Sequence, residues 1–226
     1  MSAITQKESV EIWFDSAHVE GTLEMPLDPI GVVVFAHGSG SSRFSPRNNY
    51  VASELRNARI GTLLMDLLTT QEDLDKKTRF DISLLTQRLD GAAGWLRDDD
   101  RTKALPMGLF GASTGAAAAL RVAGTRKADI AALVSRGGRT DLAGSYALTG
   151  IRAPTLLIVG GLDELVIELN RMTYAALQCE KRLEIVGGAT HLFEEPGKLE
   201  AVAALATAWF AQHLTRIAQI RSRPIS

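Results

Sequence analysis

Three residue types that together can open an acyl bond occur here in a set order, each in a glycine-rich stretch: Ser113, Asp163 and His191. The serine stands in Gly111-Ala112-Ser113-Thr114-Gly115, entered by the apolar run Met107–Phe110 and left by the alanine-rich run Ala116–Leu120. A Gly-x-Ser-x-Gly pattern between a strand and a helix is a nucleophile elbow, which lifts the serine hydroxyl above a sheet at the start of a helix. A serine hydroxyl is a poor nucleophile at neutral pH, so the chemistry needs an imidazole to take its proton. His191, closing Gly187-Gly188-Ala189-Thr190-His191, would take that proton and return it to the leaving group. Asp163, closing Gly160-Gly161-Leu162-Asp163, would hold the imidazole in the right tautomer and stabilise the imidazolium. The chain order serine, acid, histidine is that of the elbow architecture and differs from the orders in other serine hydrolase folds.

Developing charge on a carbonyl oxygen calls for N–H donors, and two backbone groups are placed to serve: Thr114, directly after the serine, and Ser39, in the loop His37-Gly38-Ser39-Gly40. That loop lacks the Gly-Lys-Ser/Thr ending of a phosphate-binding loop and the spacing of a dinucleotide fingerprint. Taken singly, each residue has a plainer reading. Asp163 could begin a helix as its cap, and His37 more naturally shapes its loop than accepts a proton. Their joint order after successive strands is what selects Ser113, Asp163 and His191.

For these residues to meet, the strands before them must end at one edge of a sheet, where ligands bind in open α/β folds. The sequence supplies such strands. Continuous apolar runs at Gly31–Ala36 and Ile60–Met65 read as strands buried on both faces, and Ala104–Phe110, Ile130–Val134, Thr155–Val159 and Arg182–Val186 follow them. Helical spacing occupies Pro46–Ala58, Arg79–Arg97, Thr114–Ala123, Asp141–Leu148, Glu164–Leu177 and Lys198–Leu214. Two further strands, Glu11–Asp15 and His18–Met25, form a hairpin turning near Asp15-Ser16-Ala17, and Thr69–Lys77 reads as an exposed charged loop. The expected fold is α/β: a mostly parallel sheet with helices on both faces, fronted by an antiparallel hairpin and carrying no cap domain. One domain spans residues 1–226, with 1–9 and 216–226 as loose ends.

Composition narrows the function classes. The chain has 226 residues and a formal net charge of −1, so neither nucleic acid nor an anionic membrane is an expected partner. It has no apolar run of membrane-spanning length, and Met1–Val10 lacks the apolar core of a secretory signal. A single cysteine, Cys179, excludes an internal disulfide and fits a reducing, cytoplasmic compartment.

The quoted motifs resemble the α/β-hydrolase superfamily, and within it the compact dienelactone hydrolase-like branch, over nearly the whole chain. The strings Ser39–Arg47 and Val134–Arg139 are similar to bacterial members of that branch. The resemblance implies an acyl hydrolase needing no metal or organic cofactor. The enzyme that names the branch uses a cysteine nucleophile where position 113 is serine, so its lactone specificity does not carry over. The expected substrate is a small acyl compound, ester or related. Arg43, Arg47, Arg136 and Arg139 follow the oxyanion loop and the fourth core strand. They either hold an anionic group of that substrate through guanidinium forks or brace the loops against Asp66, Asp141 and helix ends. A different class, a non-catalytic binding protein on a hydrolase scaffold, is the alternative, and a decayed scaffold should have lost a member of the triad.

Overall fold

The computed structural model describes residues 5–14 and 17–221. Its centre is formed by the apolar runs that lack polar alternation. β3 (Gly31–Ala36), β4 (Ile60–Met65), β5 (Met107–Ala112), β6 (Ile130–Arg136) and β7 (Thr155–Gly160) are buried at every residue. Burial on both faces is what such runs demand, because each face must be covered by helices. β8 (Lys181–Val186) alternates partly exposed positions and closes the sheet at one edge. At the other edge β1 (Thr5–Phe14) pairs antiparallel with β2 (Ala17–Pro26), and β2 pairs antiparallel with β4. The strand order is β1-β2-β4-β3-β5-β6-β7-β8, and every pair from β4 to β8 is parallel.

Among the described residues, six α-helices flank this sheet. On one face α2 (Ile82–Asp98) and α3 (Thr114–Arg126) bury Leu89, Leu96 and Leu120 against Leu109 and Leu133. On the other, α1 (Pro46–Asn57) and α6 (Lys198–Arg221) bury Val51, Leu55, Val202 and Phe210 against Val33, Phe35 and Phe110. The Phe35 and Phe110 rings stack with centroids 4.8 Å apart. α4 (Ser145–Gly150) and α5 (Glu164–Ala176) complete the set. No helix among the described residues is long and apolar enough to cross a membrane.

Several boundaries differ from the sequence expectation, each for a physical reason. β5 starts at Met107 rather than Ala104, just after Pro106, which has no N–H for the ladder. β6 runs two residues past Val134, because its parallel neighbours on both sides continue the ladder through Ser135 and Arg136. α2 starts at Ile82, where the Asp81 carboxylate caps the Ser83 and Leu84 N–H groups, and Thr78–Phe80 form a separate 3-10 turn. The helix expected over Asp141–Leu148 is split by Gly144 at φ 82°, leaving a 3-10 turn at Thr140–Ala143 and the short α4. α6 continues to Arg221, and β1 already begins at Thr5, so strand and helix take up much of both expected loose ends. The hairpin turn expected at Asp15 and Ser16 lies outside the described residues.

Phe210 joins α6 to the sheet and is fully buried. Phe210→Ala should lower unfolding stability by about 3–5 kcal/mol. The urea midpoint at constant m-value is the measurement.

Candidate active site

The turn from β5 into α3 is built by close approach. A Cβ at Gly111 would stand 2.5 Å from the Ala116 Cα, and one at Gly115 would stand 2.3 Å from the Ala36 carbonyl oxygen. Both contacts are with backbone, so neither could be relieved by a side-chain rotation. Between the two glycines, Ser113 takes φ 51° and ψ −120°, a region that L residues rarely occupy. Its backbone is tied from both sides: the Ser113 N–H donates to the Arg136 carbonyl and the Arg139 N–H donates to the Ser113 carbonyl, each at 3.1 Å. The hydroxyl is thereby held at the N-terminus of α3, whose first N–H groups have no intrahelical acceptor.

The loops after β7 and β8 bring the acid and the histidine to the same place. His191 Nδ1 donates to Asp163 Oδ2 at 2.6 Å, a length typical of a charge-assisted bond. That bond assigns the proton to Nδ1 and leaves Nε2 as an acceptor toward the Ser113 hydroxyl, 3.4 Å away. The longer contact is at the outer limit of a hydrogen bond, as is common before substrate tightens a site. The His191 side chain is 38% exposed and that of Asp163 is 17% exposed, so the pair opens to solvent on the histidine side. Asp163 also begins α5, but its side chain makes no capping bond and is committed to His191.

The loop after β3 supplies the remaining expected group. His37 is buried, its Nδ1 donates to the Gly38 carbonyl at 2.9 Å, and its Nε2 accepts the Leu67 N–H at 3.0 Å. Burial lowers its pKa, so the ring is neutral and acts as a tie between this loop and the end of β4. The Ser39 N–H points to the elbow and donates to the Thr114 hydroxyl at 2.9 Å. Sequence reasoning placed both backbone groups here but missed that the Thr114 side chain joins them. Its type was visible, while the contact spans two loops 75 residues apart. A cavity of about 210 Å³ opens beside this loop, against His37, Ser41, Leu68 and Leu74.

The arginines divide. The Arg43 guanidinium pairs with Asp66 and Glu20, and its backbone N–H donates to Asp66 Oδ1 at 2.7 Å. Arg139 forks onto both Asp141 oxygens at 2.9 and 2.8 Å, and Arg47 Nη1 reaches Glu194 at 2.6 Å. Arg43 and Arg139, expected either as substrate contacts or as braces, are each paired with carboxylates. The same pairings occupy Asp66 and Asp141, the other acids at this edge. Arg136 differs from the expectation in another way: it is the last residue of β6, buried, and not part of an open loop. Among the described residues no group of three or more His, Cys, Asp or Glu side chains is placed to hold a metal ion.

Comparisons with known proteins agree with this architecture. No family model matches the chain. Among solved structures it is similar to a dienelactone hydrolase from Anabaena variabilis, with 51% identity, 92% of this chain and 98% of that chain covered, and a TM-score of 0.89. The esterase Est1E from Butyrivibrio proteoclasticus is 14% identical with a TM-score of 0.78, covering 91% of this chain and 98% of that one, and shares the fold. A putative phosphoribosyl transferase from Mycobacterium tuberculosis is 53% identical over 207 residues, which are 92% of this chain and 46% of that protein. The chain thus spans about half the length of the curated relatives it matches.

The neutral, buried His37 has a consequence for stability against pH. Its folded pKa lies below the ordinary histidine value of about 6.5, so the unfolded chain binds the proton more readily. The stabilisation is complete above that ordinary value and is lost as pH falls through the depressed one. His213, also buried and also lowered chiefly by burial, acts in the same direction. The urea midpoint should fall between pH 7 and pH 5, and less steeply in His37→Gln. A wild-type midpoint flat over that range would contradict the assignment.

Proposed function

We propose that this chain, a member of the dienelactone hydrolase-like α/β-hydrolases, is a hydrolase that cleaves carboxylic esters or related acyl compounds through Ser113, His191 and Asp163. The observation that carries this reading is the continuous chain from Asp163 Oδ2 through both ring nitrogens of His191 to the Ser113 hydroxyl, at 2.6 and 3.4 Å.

The geometry supports the following roles. His191 Nε2, free to accept, takes the hydroxyl proton as Ser113 Oγ attacks the acyl carbon. The carbonyl electrons move onto oxygen, and the resulting imidazolium is stabilised by Asp163. The Thr114 N–H at the start of α3 and the Ser39 N–H face the negative oxygen. In the resting chain the Ser39 donor is engaged by the Thr114 hydroxyl, so the substrate oxygen takes the place of that hydroxyl. Collapse expels the alcohol, which carries off the proton from His191 and leaves an acyl group on Ser113. Water, deprotonated by the same imidazole, then releases the acid and restores the serine.

The open edge at His191 lets an acyl substrate approach Ser113 from solvent. A cytoplasmic setting belongs to the same proposal and rests on the single Cys179. The transferase name of the mycobacterial relatives belongs to proteins about twice as long, and it does not alter the reading of the serine site in this half.

A fluorophosphonate probe should label Ser113, located by peptide mass, and should not label Ser113→Ala. The same substitution should lower kcat on a short acyl ester by a factor on the order of a million, because the three residues act as a unit. Asp163→Asn should cost about ten-thousand-fold with the fold intact. Persistent labelling of Ser113→Ala would remove the nucleophile assignment. An intact Ser113 that neither labels nor hydrolyses any of a broad ester panel would favour a non-catalytic scaffold.

A further inference from the structure

A guanidinium withdrawn from water needs an opposite charge or a full set of hydrogen bonds. Arg136 has neither. The register Ala112–Arg136–Ile158 puts its side chain on the sheet face that carries Ala112, Ile158 and Phe193, and the residue is only 7% exposed. Its Nε and Nη1 are enclosed without an acceptor, and among the described residues no carboxylate pairs with it. The charge that acts on it is of like sign. Burial first, and Arg47 second, push its pKa down to about 10, which leaves it a cation at neutral pH.

Two further features add positive potential at the same edge. Arg47 has its own Nε enclosed without an acceptor, although its Nη1 is held by the exposed Glu194. It stands in the first turn of α1, a helix of 12 residues whose N-terminus carries partial positive charge. Meanwhile the carbonyl of Arg136 accepts the Ser113 N–H, so this cation hangs one hydrogen bond from the nucleophile's backbone. Arg43 and Arg139 at this edge are neutralised by their own carboxylates, and Arg136 is not.

We propose that Arg136, with Arg47 beside it, seats an oxyanion: a carboxylate or phosphate group borne by the substrate whose acyl bond Ser113 opens. The proposal rests on the hydrolase reading above and narrows it to anionic acyl compounds. A planar guanidinium offers two parallel donors to two oxygens of such a group. The bound anion would supply the counter-charge that the fold itself withholds.

The opposite explanation, an arginine that merely braces the sheet edge, predicts the opposite sign of a stability change. Replacing an unpaired buried cation by an apolar side chain of similar volume relieves the chain, whereas removing a brace weakens it. The test uses Ser113→Ala, which binds without turnover, at pH 7 and matched ionic strength in chloride, acetate or phosphate. Acetate or phosphate should raise its melting temperature saturably, and the more effective of the two names the group. In Ser113→Ala/Arg136→Met the melting temperature in chloride should equal or exceed that of the parent, and the anion response should vanish. Arg136→Lys, which keeps the charge and loses the fork, should weaken the anion response about tenfold in half-saturating concentration. In the Ser113-containing enzyme, Arg136→Met should lower the preference for a monoanionic succinate hemiester over its neutral diester at least tenfold, chiefly through KM. A destabilised Arg136→Met with no anion response in the parent would overturn the proposal, as would equal kinetic losses on both esters. Anion stabilisation in a protein whose wild type hydrolyses neither ester would keep the anion seat and discard the hydrolase reading.

Discussion

The constraint on which the site depends is the backbone turn at Ser113. A residue with positive φ is costly, and it persists only when its surroundings leave no alternative. Here the surroundings are backbone: the Ala36 carbonyl against Gly115, and the first turn of α3 against Gly111. The packing of α3 on the end of β3 and the direction of the serine hydroxyl are therefore one fact. Anything that moved α3 away from the sheet would relax the turn and lower the hydroxyl. The buried alanines that follow, Ala116 to Ala119, keep that approach close by presenting almost no side chain.

Around this fixed point the loops are held by dissimilar means. The loop after β3 is anchored by a neutral imidazole and by a hydroxyl contact to the elbow. The loop after β6 is secured through main-chain bonds to Ser113 itself, which couples the position of β6 to that of the serine. The histidine loop is tied by the Glu195 carboxylate accepting the Thr190 N–H at 3.1 Å. Charge at the rim is mostly matched locally, with Arg43, Arg47 and Arg139 each drawing a carboxylate. Such exposed or half-exposed pairs contribute little to overall stability and serve mainly to fix loop geometry.

Much of this was legible in the residues because the strongest signals are local. Unbroken apolar runs mark doubly covered strands, and the elbow pattern states its own backbone geometry. The chain order of Ser113, Asp163 and His191 then needs only a parallel sheet to bring them together. What was not legible depends on neighbours that a linear reading cannot see. Ser135 and Arg136 look like loop residues by polarity, and only the ladders with β5 and β7 make them strand. The pairing of Arg43 with Asp66 and Glu20 depends on rotamers chosen after the fold is made. Gly144, at φ 82°, breaks the helix that the linear reading ran through from Asp141 to Leu148.

The elbow also bears on how the branch can change its chemistry. Its geometry is imposed by glycines and main-chain contacts, and no part of it uses the oxygen of the Ser113 side chain. The side-chain atom presented there is thus a separable choice laid on a finished scaffold. Serine and cysteine codons lie one base apart, so a lineage could pass between an oxygen and a sulfur nucleophile in a single mutational step without rebuilding the fold. The histidine and acid would then have to adapt to a more acidic thiol, and selection would act on their hydrogen bond rather than on the turn.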